Sequence, residues 1–259
     1  MRMKLLFAVA PLALALVSQP VLAQDAASPV SGPVASRIQS VAGQLVQESN
    51  AARLEVLKAH LASLDLAYDL HTFEGGNRQT GPMAGTNVVI TLGEGERDIV
   101  MTAHYDAVVL RDGAFSHGVV DNAGGTLAVI EAARALKPQV AQLGYRIVVV
   151  LTDQEELGLI GAGKWLEQAD EARIAGVVNV DVAAYGRTVM FGLNNGEASR
   201  GLVRTLRTYC ADTDTDCEAF PVYPPSEDRV FSRAGIPVLS LGIQNAVGAR
   251  QMWLAFNGG

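Results

Sequence analysis

The chain has 259 residues, 49% of them hydrophobic, with 20 basic against 27 acidic side chains and a net charge of −7. An acidic surplus of this size argues against nucleic acid as a partner, and the length suffices for one domain with a sizeable core. No internal repeat or low-complexity tract divides it.

Residues 1–23 read as a secretory signal: Arg2 and Lys4, an apolar stretch over 5–17, then the small-residue site Val21-Leu22-Ala23. A membrane anchor is the rival reading, but the stretch is short for a span, and Pro11 and Pro20 interrupt or flank it. The expectation is an exported protein, periplasmic or secreted, beginning near Gln24 and without stable membrane insertion. Losing the leader removes two basic residues and no acid, leaving 18 basic against 27 acidic and a net charge of −9.

Next, Val34, Ile38, Val41 and Leu45 recur at helical spacing, as do Leu54, Leu57, Leu61 and Leu64. They predict two helices, or one broken over 48–50. The Gly/Asn/Pro-rich stretch 75–85 reads as loop. Short β-branched runs follow at 87–92, 98–103, 145–152, 176–182 and 237–243, with helical patterns at 125–136, 160–168 and 199–209. Strands alternating with helices predict an α/β fold, a three-layer α-β-α domain with a mixed, largely parallel central sheet. Residues 24–85 would be a helical and loop segment packed on a core formed by 86–259.

Cys210 and Cys217 are the only cysteines, and export makes a disulfide the natural expectation, with two free thiols as the alternative. A closed loop this short contributes about 2 to 3 kcal/mol. Asp212, Asp214 and Asp216 between them have the alternation of a calcium loop. The central glycine and terminal glutamate are missing, so they read as a solvated turn.

The chemistry concentrates where apolar runs end. His104 and Asp106 close one run, Asp121 follows in a loop, Glu155 and Glu156 close another, and Asp181 a third. Ligands of open α/β sheets sit outside the carboxyl ends of the strands, so this order gathers distant residues in one cleft. Converging acids are costly unless something cationic binds them. His104, Asp121 and Asp181 offer the three ligands of a catalytic zinc, and a second metal would share Asp121 and take Glu156. Asp106, two residues past His104, would accept a hydrogen bond from its second ring nitrogen. Glu155 would be a general base. Taken alone, His104 with Asp106 reads as a satisfied buried pair and Glu155-Glu156 as surface; their setting at strand ends changes that. His117 reads as a surface loop residue, and His60 and His71 as structural or exposed.

His104-x-Asp106, Gly118-x-x-Asp121-Asn122-x-x-Gly125, Glu155-Glu156-x-Gly158-Leu159-x-Gly161 and Asn179-x-Asp181, in this order, resemble the co-catalytic di-zinc aminopeptidases. The resemblance runs from about residue 86 to 242. It implies an α/β zinc exopeptidase with two zinc ions, with Asp121 bridging, His104 and Asp181 at one ion, Glu156 at the other, and Glu155 as base. Substrates would be peptides with a free N-terminus. Ser226-x-Asp228, Phe231 and Gly235-Ile236-Pro237 resemble the segment before the family's last core strand and are expected to shape the rim, without binding metal.

The resemblance also implies one more histidine, private to the Glu156 site, in a loop after the final strand, and then a last helix. No histidine lies beyond His117, and no helix-length segment is expected after Gln244-Asn245. The reading is of a chain cut short at its C-terminus, against a product that ends here with a weakened second site. Two further readings stand beside the aminopeptidase: a single-zinc enzyme resembling N-terminal glutamine cyclotransferases, and a non-catalytic member that binds peptides in the same cleft.

Overall fold

The computed structural model describes residues 33–183 and 185–258, so the expected leader lies outside the described residues. Two helices open it, α1 (Pro33–Gln44) and α2 (Asn50–Ser63). The break between them is a cap: the Ser49 side chain accepts a hydrogen bond from the Ala52 amide, satisfying one free donor of α2's first turn.

The stretch expected as loop is instead half of a long hairpin, β1 (Asp69–Asn77) and β2 (Gly81–Leu92). Asn77 closes its turn by accepting from the amides of Gln79 and Thr80. Glycines that read as flexible in sequence are here paired along the ladder.

The α/β core continues with β3 (Arg97–His104), α3 (Gly124–Leu136), the short α4 (Val140–Leu143), β4 (Tyr145–Thr152), α5 (Ile160–Leu166) and β5 (Ile174–Val180). The chain then runs through β6 (Thr188–Gly192), α6 (Arg200–Asp212), β7 (Cys217–Phe220), α7 (Asp228–Arg233), β8 (Val238–Gln244) and α8 (Ala246–Asn257). The two short strands β6 and β7 and the helix α7 had no counterpart in the sequence reading, because runs of 5, 4 and 6 residues carry little periodicity.

The last helix corrects the expectation that none follows Asn245. Asn245 is its cap, accepting from the Gly248 amide, and Ala249, Met252 and Trp253 pack with Met190, Phe220 and Tyr223. That packing stabilises a segment in which the exposed Val247, Leu254 and Phe256 blur the apolar face.

All eight strands form one sheet, in the order β1-β2-β4-β3-β5-β8-β6-β7. Strands β4, β3, β5 and β8 run parallel, while β1, β2 and β6 join antiparallel. This is the three-layer α/β/α domain with a mixed, mostly parallel sheet. Alternation along each strand feeds two cores. Met101, Ala103, Val149 and Leu151 face α1, α2 and α3, whereas Val100, Val148 and Val150 face α5 and α7. At the far end, Arg207 of α6 lies over Phe191 while the neighbouring Met190 points to α8. The Cys210–Cys217 disulfide, as expected, ties α6 to β7.

Candidate metal centre

His104 is the last residue of β3, Thr152 the last of β4 and Val180 the last of β5. The parallel registers of these strands therefore bring His104, the loop after β4 and Asp181 to one edge. Asp121 arrives from the turn before α3. There Asn122 donates to the Val180 carbonyl and accepts from the Gly125 amide, pinning the turn to the end of β5. A side chain at Gly125 would place its Cβ 2.1 Å from the Asn122 Oδ1 atom, so only glycine allows that approach.

The imidazole of His104 is buried, and its Nε2 lies 3.1 Å from Asp121 Oδ1 and 3.3 Å from Asp181 Oδ1. Two atoms bound about 2.0–2.1 Å from one tetrahedral cation sit roughly 3.3–3.4 Å apart, so this spacing fits a shared ion. No lysine or arginine pairs with Asp121 or Asp181 among the described residues. His104, Asp121 and Asp181 form one group able to hold a metal ion; His104, Glu155 and Glu156 form a second. The side chains present fit a divalent cation, in two groups that share His104.

Asp106 has a larger part than expected. Its Oδ1 and its carbonyl each lie 3.3 Å from His104 Nδ1, on the side away from the acids. Its two carboxylate oxygens also accept the backbone amides of Glu155 and Glu156, both at 3.1 Å. One buried aspartate thus orients the imidazole and places both glutamates.

The electrostatics are those of an acidic cluster short of positive charge. Burial lowers the His104 pKa, but hydrogen bonds to Asp106, Asp121 and Asp181 outweigh it and hold it well above its ordinary value. Burial pushes Glu155 up to about 9, further raised by Glu227, Asp181 and Asp106. Glu156 rises to about 7 through burial and the charge of Asp121. Burial also raises Asp181, yet its hydrogen bond and charge interaction with His104 bring it below the usual range. Without a cation, then, the cluster binds protons at neutral pH that a metal would displace.

The backbone is strained around this cluster. Gln154, Leu159 and Val182, none of them glycine, have φ of 60°, 62° and 58° in the loops leaving β4 and β5. Such conformations cost on the order of 1 kcal/mol or more each and persist where surrounding structure holds them. Gln154 is so held: its side chain accepts the Gly76 amide and donates to the Ala84 carbonyl, clamping the hairpin.

Several residues stand elsewhere than sequence reasoning placed them. Ser226, Asp228 and Phe231 are fully buried, beneath the site and not at its rim. Ser226 accepts from Asn179 and donates to Glu227, while Asp228 accepts the Ser240 hydroxyl and the Ser226 amide. Glu227, overlooked in the sequence, is also fully buried, and its other oxygen accepts from Thr152. Burial raises its pKa. The hydroxyl partner Thr152 lies 75 residues away, so no local pattern announced it. His117 is exposed, His60 is buried on α2 and His71 lies on β1; none joins the cluster.

The profile of peptidase family M28 matches residues 87–254, which is most of the sheet and the whole cluster. The chain belongs to this family. The alkaline phosphatase isozyme conversion protein of Escherichia coli is 28% identical over 195 residues, 65% of this chain and 56% of that protein. The chain therefore spans little more than half the length of that relative. Among solved structures, a Porphyromonas gingivalis glutaminyl cyclase superposes with a TM-score of 0.68 at 18% identity, covering 82% of this chain and 83% of the cyclase. A Zn-dependent exopeptidase from Parabacteroides distasonis gives 0.64 at 15% identity, covering 82% of each chain. At such identities the likeness is one of fold. No helix among the described residues is long and apolar enough to cross a membrane.

Proposed function

We propose that this M28 chain is an exported, zinc-dependent aminopeptidase. The observation that carries the reading is the convergence of His104, Asp121 and Asp181 at spacings suited to one ion, with Glu155 and Glu156 beside them. In this reading His104, Asp121 and Asp181 hold zinc, and Glu156 with Asp121 serves a second ion. Bound zinc would supply Lewis acidity toward a peptide carbonyl and lower the pKa of a nearby water.

The chain's own residues do the rest. Glu155 Oε takes a proton from the attacking water and passes it to the departing amine; a cation nearby brings its raised pKa down to where it can act as base. Asp106 holds Glu155 in place through its amide and fixes the His104 ring. The carboxylate-rich cleft suits the ammonium of a peptide N-terminus. Export is supported by the leader-like residues 1–23 and by the disulfide.

The likeness to a glutaminyl cyclase, together with the sharing of His104 by both candidate groups, favours a second reading as an N-terminal glutamine cyclotransferase with one zinc. Zinc-loaded protein incubated with peptides separates the two. Free amino acid released from unblocked but not N-acetylated peptides supports the aminopeptidase; ammonia released from peptides with N-terminal glutamine supports the cyclase. Neither product, with metal bound, would leave a peptide-binding role.

A further inference from the structure

Arg53 is the largest fully buried side chain of the described residues and has no carboxylate in a salt bridge with it. Its guanidinium donates instead to four backbone carbonyls: Nε to Tyr105 at 2.5 Å, Nη1 to Leu45 at 2.7 Å and His117 at 3.2 Å, and Nη2 to Gly118 at 3.3 Å. Two of these carbonyls flank the cluster's ligands in sequence. Tyr105 lies between His104 and Asp106, and Gly118 begins the turn that delivers Asp121.

Asn50, three residues earlier on α2, accepts the Ala107 amide. The first turns of α2 therefore grip the backbone on both sides of Asp106, the residue that in turn accepts the amides of Glu155 and Glu156. The fit at Gly118 is close. Its φ is +58°, and a Cβ there would lie 3.0 Å from both terminal nitrogens of Arg53.

A buried cation is an expensive way to dock a helix, and an apolar side chain would fill the same space at lower cost. Leu57 and Leu61, one and two turns along the same face, already do that packing. Burial lowers the Arg53 pKa, and the charges of Asp106 and Asp121 oppose that, while carbonyls from three segments accept its guanidinium protons. The planar fork serves several acceptors at fixed angles, which a lysine ammonium cannot reproduce. Arg53 also lies outside the matched residues 87–254, on the segment that precedes them.

We propose that Arg53, with Asn50, is a positioning residue of the metal centre, through which the N-terminal helix pair sets the spacing of His104, Asp106 and Asp121. The proposal rests on the reading of His104 and Asp121 as metal ligands. It implies that losing the Arg53 or Asn50 contacts is felt at the site as lost metal affinity and not only as lost stability.

The test is zinc titration of the full chain against a chromophoric chelator, comparing Arg53→Met, Arg53→Lys and Asn50→Ala with Leu57→Ala, which removes core packing on the same helix. Thermal unfolding of the metal-free proteins identifies variants with equal stability loss. Arg53→Met should lose about 10- to 100-fold in zinc affinity, in the range found when groups orienting metal ligands are removed. Arg53→Lys and Asn50→Ala should lose less, and Leu57→Ala should bind zinc like the parent. If Arg53→Met fails to fold, the lysine and Asn50 variants carry the same comparison. Zinc affinity unchanged in the Arg53 and Asn50 variants, or reduced equally in Leu57→Ala, overturns the proposal. A parent chain that takes up no zinc overturns the metal reading itself, and the brace with it.

Discussion

The two halves of the sheet invite comparison. Where β4, β3 and β5 end, ionisable side chains crowd together. At the other half, between α6 and the segment leaving β6, lies a concavity of about 630 Å³ lined by Asn195, Arg200, Arg204 and Arg207. This concavity has the poorer chemistry: its arginines are exposed, Arg200 pairs with Glu197, and no metal-ligating group of side chains is found there among the described residues. What marks a site in this fold is the cost of bringing acids together at parallel strand ends, and that cost is met by a bound cation or by protons. Volume alone says little.

If that contrast is right, substitutions in the first half should change chemistry and those in the second only stability. The largest effect is expected for His104→Ala or Asp121→Asn: loss of zinc from the His104 group and of all peptide turnover, read by metal analysis of the folded variants. Glu155→Gln should follow, lowering kcat by about 100- to 10,000-fold while zinc stays bound, the range for a lost general base. Retained turnover in that variant would remove Glu155 from the mechanism.

The pH response should also separate the halves. Glu155 and Glu156 have folded pKa values raised to about 9 and about 7, and His104 is raised as well. A raised folded pKa gives stability that is present at low pH and lost as pH climbs through the folded value. Metal-free protein should therefore melt at progressively lower temperature between about pH 5 and pH 9. Zinc uptake should release protons and tighten over the same interval. A flat melting profile in the metal-free protein would mean that the cluster is more solvated than its burial implies.

In the second half, Cys210→Ser with Cys217→Ser should cost about 2 to 3 kcal/mol, seen as a lower Tm, with zinc affinity unchanged. Smallest of all, Arg204→Ala should alter neither turnover nor Tm measurably, since Arg204 is exposed and makes no ion pair among the described residues. An effect of Arg204→Ala on turnover would break the comparison outright.

The sequence disclosed the first half far better than the second. Runs such as Ile147–Leu151 followed by Glu155 and Glu156 announce themselves, because a buried strand has to end before it can carry acids. The same logic found His104 and Asp181. The hairpin escaped because its pairing is made by backbone groups and by Gln154, 70 and 78 residues from its partners, while its own glycines and Pro82 mimic a loop. Helix α8 was missed although Asn245 is a readable cap, since Val247, Leu254 and Phe256 are apolar on its exposed sides and blur the period. Arg53 had a legible signal that went unused: it lies one helical turn before Leu57 and so on the buried face, where an arginine is out of place unless it has work to do. Glu227 had none, because Thr152 is 75 residues away and the adjacent Ser226 announces nothing by itself.

Anomalous diffraction at the zinc edge from crystals of the zinc-loaded chain tests the central claim most directly. The account predicts a peak within about 2.0–2.2 Å of His104 Nε2 and of one oxygen each of Asp121 and Asp181. Zinc bound only elsewhere, with His104 still hydrogen-bonded to both carboxylates, would contradict it.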